Sequence, residues 1–206
     1  MEDVPDTYSR DFSDDGVPVC LDETSRQQTR ETRTPLPTRP GHVAGYDFEY
    51  VRNGTASPFM ITAPLEGWRH VKVTDRRTRR DFAEVLKDLA DSHFPGKKIV
   101  LVMDSLNTHT LPALYDRYPP EEAGRLARRF EVRHTPKHGS WLNIAEIEIN
   151  ALVRQCLARR IPDRDTMVRE AAARRTRRNA GKRPVNWRFT TDGARIKLKS
   201  LYPSIQ

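Results

Sequence analysis

The sequence predicts an α/β fold in which helices cover both faces of a mixed five-stranded sheet. Three observations carry that prediction. Residues 17–21 are a short apolar run, and the segments between 46 and 73 alternate in polarity as the strands of an antiparallel meander do. A continuous apolar run, Lys98–Met103, has the pattern of a strand buried on both faces. Around and after that run, the apolar spacing changes from two to the helical period. The 206 residues suffice for one domain with extensions.

Each element has its own signal. Residues 1–16 are polar and acidic and read as a poorly ordered lead-in. Residues 17–21, Val-Pro-Val-Cys-Leu, form the first strand. Residues 23–40 are rich in Thr, Arg and Pro without a period, and such long loops are often functional. Tyr46, Phe48 and Tyr50 alternate with polar residues over 46–51, as in a half-exposed strand. Asn53-Gly54 is a favoured hairpin pair, so 52–55 reads as a turn and 59–63 as the returning strand. Residues 68–73 give a third strand. Phe82, Val85, Leu86 and Leu89 define an amphipathic helix over 78–92, capped by Thr78 or Asp81 and ended by Pro95-Gly96. After the central strand come helices at 112–118 and 120–130, the second with Pro in its first turn and Glu121-Glu122 at its positive end. Residues 131–135 are the fifth strand. Helices follow at 142–159 and 163–179, then a short strand at 185–189 and a helix at 191–201. This is the element order of the ribonuclease H-like fold, in which strands one and four lie side by side. The chain then divides into a lead-in (1–16), a ribonuclease H-like domain (17–160) and an Arg-rich helical extension (161–206).

Composition narrows the partners. Lys plus Arg number 36 against 28 Asp plus Glu, a net charge of +8 that favours an anionic partner, most often nucleic acid. Cys20 and Cys156 both lie in apolar runs and read as buried free thiols of a cytosolic protein. The N-terminus lacks the apolar core of a signal peptide, and no stretch is long enough to span a membrane. Neither a zinc-type Cys/His pattern nor a Gly-rich phosphate loop is present, so neither zinc binding nor nucleotide hydrolysis is predicted.

Three acidic residues have settings suited to chemistry. Asp22 ends the first strand, Asp104 ends the central strand, and Glu146 begins a helical pattern in Ser-Trp-Leu-Asn-Ile-Ala-Glu. A charged carboxylate at the end of a buried strand is costly unless something compensates it. Two from adjacent strands and one from a helix can hold a pair of magnesium ions about 3.5–4 Å apart. Asn107 can orient a carboxylate or a phosphate. His109 can contact phosphate, stand behind a metal ligand, or cap the following helix. Asn143 lies beside Glu146 on the helix. Lys137 and His138, with the Gly139 amide and Ser140, concentrate phosphate ligands; Ser140 reads more simply as a helix cap, and Trp141 as a core anchor. Helix geometry leaves open whether Glu146 or Glu148 is the third ligand. Arg174, Arg175 and Arg178 fall in an Arg-rich segment that reads as a DNA-backbone track, the plainer alternative being a solvated face partnered by Glu170.

The segments Leu-Asp22-Glu-Thr-Ser, Val-Met-Asp104-Ser-Leu-Asn-Thr-His and Thr-Pro-Lys-His-Gly-Ser-Trp-Leu-Asn-Ile-Ala-Glu146 resemble the catalytic motifs of bacterial insertion-sequence transposases. The resemblance is to the insertion sequence 630 family of the Tc/mariner superfamily and runs from about Pro18 to Pro203. It implies a DDE triad of Asp22, Asp104 and Glu146 and two Mg²⁺ ions, with Mn²⁺ as a substitute. It also implies cleavage at transposon ends and strand transfer by the freed 3′-hydroxyl into target DNA, usually at TA dinucleotides. A homodimeric active complex in the bacterial cytoplasm, associated with the nucleoid when bound, goes with it. Family members carry N-terminal helix-turn-helix domains for which this chain has no room, so the expectation is a catalytic half whose recognition half is in a separate or frame-shifted reading frame or is lost. Two other readings are a non-catalytic DNA-binding remnant that represses transposition, and a stand-alone ribonuclease H-like nuclease. The intact triad argues against the first, and the segment leading to Glu146 against the second.

Overall fold

In the computed structural model, residues 2–10, 12, 16–105, 109–136 and 139–197 are described. Strand β1 (Gly16–Glu23) lies at the centre of the sheet. It pairs antiparallel with β3 (Tyr50–Ala63) and parallel with β5 (Lys98–Met103). β4 (Trp68–Thr74) pairs antiparallel with β3, and β6 (Phe130–His134) parallel with β5. The run β4-β3-β1-β5-β6 is the ribonuclease H-like order that the sequence predicts. Its consequence for function is directional: β1, β4, β5 and β6 all end at the same edge of the sheet.

Apolar side chains on both faces of the central strands require cover on both sides. Val17, Val19 and Leu21 face one core with Phe82, Val85 and Leu86 of α2 (Arg79–Lys87) and Ala123 and Leu126 of α3 (Pro120–Ala127). Cys20 faces the other core with Ile144, Ala145, Ile149 and Leu152 of α4 (Ile144–Leu152) and Met167 and Ala171 of α5 (Arg164–Ala180). Thr78 and Asp81 close a reciprocal capping box at the start of α2, which continues into a π-helical turn, Asp88–His93. α4 likewise follows a 3₁₀ turn, Ser140–Leu142, and runs on as a π-helical turn, Val153–Leu157. A last helix, α6 (Thr191–Lys197), begins at Thr191 as the sequence suggests.

Several elements differ from the sequence expectation. The lead-in contains a helix, α1 (Asp3–Ser9), held because Val4 and Tyr8 are buried in the second core and the Tyr8 hydroxyl donates to the Leu142 carbonyl at 2.9 Å. The sheet has a sixth strand, β2 (Arg26–Glu31), within the segment expected to be loop. β2 lacks apolar alternation because it pairs only with the exposed first half of β3. The Asn53-Gly54 pair is therefore no turn: β3 runs through it, and Gly54, at φ 90°, accommodates an irregularity where the register shifts between Gln27 and Thr29. Residues 185–189 form no strand, although Val185, Trp187 and Phe189 pack against the second core. Cys20 is buried and Cys156 half-buried, and both are free. Among the described residues no helix is long and apolar enough to cross a membrane.

Candidate active site

The shared strand edge carries Asp22 at the end of β1 and Asp104 just beyond β5. Side chains alternate along a strand. Asp22 therefore takes the side of Cys20, towards α4, and Glu23 takes the side of Leu21, towards α2. The Oδ1 atom of Asp22 accepts from the Glu23 amide at 2.8 Å. Burial pushes the Asp22 carboxyl up to about 7; the Glu23 amide opposes the rise, and the negative charges of Glu23, Asp104 and Glu146 add to it. The charges of Asp104, beyond β5, and of Glu146, on α4, thus both act on Asp22. His134 Nδ1 lies 3.1 Å from the Asp104 carbonyl and ties β6 to the end of β5.

α4 is oriented by one side chain. Buried Asn143 caps the helix through Oδ1, which accepts from the Ala145 amide at 3.1 Å, and its Nδ2 donates to the Leu21 carbonyl at 2.9 Å. Glu146 follows in the first turn of α4, and its Oε2 is buried without a hydrogen-bond partner. An unsatisfied buried oxygen of this kind costs about 1–3 kcal/mol, more when charged.

Glu148 has the opposite situation. Its buried carboxylate accepts from Arg178 at 2.7 Å, Arg69 at 3.0 Å and Arg174 at 3.4 Å. Burial pushes its carboxyl up, but the hydrogen bonds of Arg178 and Arg69, with their charges, outweigh burial and leave it below its ordinary value. Glu148 therefore joins α4 to β4 and α5, while Glu146 remains without a donor on one oxygen.

The same contacts engage two of the three arginines of the expected DNA track. Arg174 is only 4% exposed and also bonds Gln155 Oε1 at 3.0 Å. Arg178 reaches Glu148, and Arg175 lies 3.1 Å from His70 Nδ1. Met167 and Ala171 set the inner face of α5, and Arg174 and Arg178 continue it at helical spacing. Arg174 and Arg178 turn towards Glu148 because a buried carboxylate requires positive partners, whereas Arg175 is half-buried against His70 of β4. Lys137, His138 and Asn107 lie outside the described residues.

Sequence reasoning missed Glu23. Its side chain is 4% exposed and sits between Arg77 Nη1, at 3.1 Å from Oε1, and His109 Nδ1, at 3.2 Å from Oε2. The signal was available: two consecutive acids at a strand end must face opposite sides. His109 neither meets solvent nor caps a helix. It is buried, its ring stacks on Phe82 at 4.6 Å, and burial pushes its pKa down. Trp141 is partly exposed rather than a core anchor and meets Phe189 edge-on at 5.1 Å.

Among the described residues no three His, Cys, Asp or Glu side chains already stand close enough together to hold a metal ion. Like charges with no cation between them repel. The residues nonetheless fit a hard divalent cation: the donors are carboxylate oxygens, Asp22 is raised by burial and then by its acidic neighbours, and Glu146 Oε2 is buried without a partner.

Residues 18–168 match the protein family described as DDE superfamily endonuclease, a span from within β1 into α5 that contains all three carboxylates. No curated protein matches the chain. Among solved structures it is similar to the Mos1 mariner paired end complex with Mn, at 15% identity and a TM-score of 0.29, over 80% of this chain and 55% of that one. It is also similar to the Mos1 strand transfer complex, at 13% identity and a TM-score of 0.31, over 91% of this chain and 62% of that one. The chain spans less than two thirds of either.

Proposed function

The chain belongs to the DDE superfamily endonuclease family, and on that premise we propose that it is the catalytic domain of an insertion-sequence transposase of the insertion sequence 630 type. Its reaction is metal-dependent cleavage of DNA at transposon ends followed by strand transfer into a target, with TA dinucleotides as the expected target. What supports this reading is the placement of Asp22 at the end of β1, beside β5 and α4, with its carboxyl raised by burial first and then by the charges of Glu23, Asp104 and Glu146.

Asp22, Asp104 and Glu146 would hold two Mg²⁺ ions, with Mn²⁺ as a substitute. Such ions, when bound, activate an attacking water or 3′-hydroxyl and stabilise the leaving oxygen. The chain's own residues do the positioning. β1 and β5 fix Asp22 and Asp104 on adjacent strands. Asn143 ties the α4 start to β1, and Glu148 with its three arginines anchors the next turn. Glu146 is the third ligand because the Glu148 oxygens are already engaged. A homodimer and helix-turn-helix recognition of the transposon ends complete the proposed assembly on DNA.

The test is a joining assay with a pre-cut terminal-repeat duplex, a target duplex and Mg²⁺ or Mn²⁺. The reading predicts joined products that need the exposed 3′-hydroxyl. Nicking without any joining would instead establish a stand-alone nuclease.

A further inference from the structure

Of the three α5 arginines expected to form a DNA track, Arg174 is buried on Glu148 and Arg178 also reaches it, and a second basic segment stands at the strand edge of the carboxylates. The segment leading from β4 into the start of α2, residues 75–80, reads Asp-Arg-Arg-Thr-Arg-Arg. Because β4 runs in the direction of β1, this connection emerges at the same sheet edge as Asp22 and Glu23. Two contacts hold it there. Arg77 Nη1 lies 3.1 Å from Glu23 Oε1, and the Thr74 hydroxyl donates to the Arg76 carbonyl.

The acids of the segment are engaged. Asp75 pairs with Arg164 at 3.4 Å, and Asp81 accepts from Thr78 in the capping box. Arg79 is turned to Asp116 at 2.5 Å. Arg76 and Arg80 are exposed, and among the described residues neither has an acidic partner. They flank the first turn of α2, whose positive end adds to the local potential.

We propose that this ridge, through Arg76 and Arg80, is the surface on which the DNA backbone rests as a strand enters the carboxylate pocket. The inference builds on the proposed function. A polyanion approaching a group of carboxylates is repelled at short range, and basic side chains beside the pocket offset that repulsion. Contacts of this type go to phosphates and fix position without reading sequence. The ridge therefore accepts any duplex, and end recognition lies elsewhere in the assembly.

The experiment measures binding of the full chain to a duplex of arbitrary sequence across a salt series, without divalent metal so that no strand is cut. Removing both charges in R76A/R80A should weaken binding on the order of tenfold or more at 0.1 M salt. It should also reduce the slope of log K against log salt by about 1.8, near 0.9 for each phosphate contact. R76K/R80K should restore most of both. R128A, beside Lys98 at the opposite edge of the sheet, should bind as the unaltered protein does. All the substituted side chains are exposed, and circular dichroism checks that each variant is folded. An R76A/R80A variant with unaltered affinity and slope overturns the ridge, as does an equal loss in R128A. Metal-dependent nicking by the unaltered protein is measured in parallel. Nicking with no Arg76/Arg80 dependence removes the ridge alone; Arg76/Arg80-dependent binding without nicking removes the proposed function and leaves the ridge standing; unaltered protein that binds no duplex overturns both.

Discussion

The Asn143 side chain donates to the Leu21 carbonyl at 2.9 Å, so the first turn of α4 is tied to β1 one residue before Asp22. The same amide group caps α4 through its oxygen. One residue thus sets the distance between the strand that carries Asp22 and the helix that carries Glu146.

Asn143→Asp separates these two tasks. An aspartate can still accept from the Ala145 amide and cap the helix, but it cannot donate to the Leu21 carbonyl. The variant should keep its helical signal while metal-dependent cleavage falls by roughly 10–100-fold, the usual effect of losing a group that orients a ligand. Asn143→Ala loses both bonds and should also lose about 1–3 kcal/mol of stability. Full cleavage by Asn143→Asp would show that the tie to β1 does not position Glu146.

Glu146 and Glu148 lie two residues apart on α4 and should respond in opposite ways. Glu148→Gln leaves buried Arg69 and Arg174 without their carboxylate and should cost about 3–5 kcal/mol in denaturant unfolding. Glu146→Gln removes an oxygen that has no donor, so the fold should hold while cleavage is lost. Acid should reproduce the first effect. The folded-state pKa of Glu148 lies below its ordinary value, so its contribution is present above the ordinary glutamate range and is lost as pH falls through the depressed value. Glu148→Gln should flatten that part of the stability curve. A stable, inactive Glu148→Gln beside an active Glu146→Gln would reverse the assignment.

Asp22 carries the cost of a buried carboxylate among other carboxylates, its pKa raised to about 7. For a carboxyl shifted upwards, the favourable contribution is fully present below the ordinary aspartate range and is lost as pH rises through about 7. Asp22→Asn should therefore raise the melting temperature of the metal-free protein at pH 8 and leave it little changed near pH 3, while abolishing cleavage. A lower melting temperature at pH 8 would mean that the carboxylate has a stabilising partner in the metal-free state.

Period and polarity in the sequence were enough to place the central strands and the helix pattern around Glu146, because each buries a face whose spacing is set by its geometry. They were not enough for β2, whose residues are polar because it pairs with the exposed half of β3. Asn53-Gly54 misled for a related reason: a pair suited to a tight turn also suits an irregularity in a long strand. The strand-end acids Asp22 and Asp104 stand out in the sequence because a carboxylate after an apolar run is costly. Helix spacing alone did not separate Glu146 from Glu148, since the contacts that engage Glu148 come from Arg69 of β4 and from Arg174 and Arg178 of α5. The same long-range contact makes Arg174 and Arg178, two residues of the apparent DNA track, partners of Glu148.

The most direct measurement of the central claim is metal-dependent cleavage by Asp104→Ala on a terminal-repeat duplex, set beside the unaltered protein over a range of Mg²⁺ and Mn²⁺ concentrations. The account predicts a folded variant with no cleavage at any metal concentration, because Asp104 would be one of three carboxylates holding the metal ions. Cleavage by Asp104→Ala at the unaltered rate and metal dependence would contradict it and place the chemistry away from the β1 and β5 strand ends.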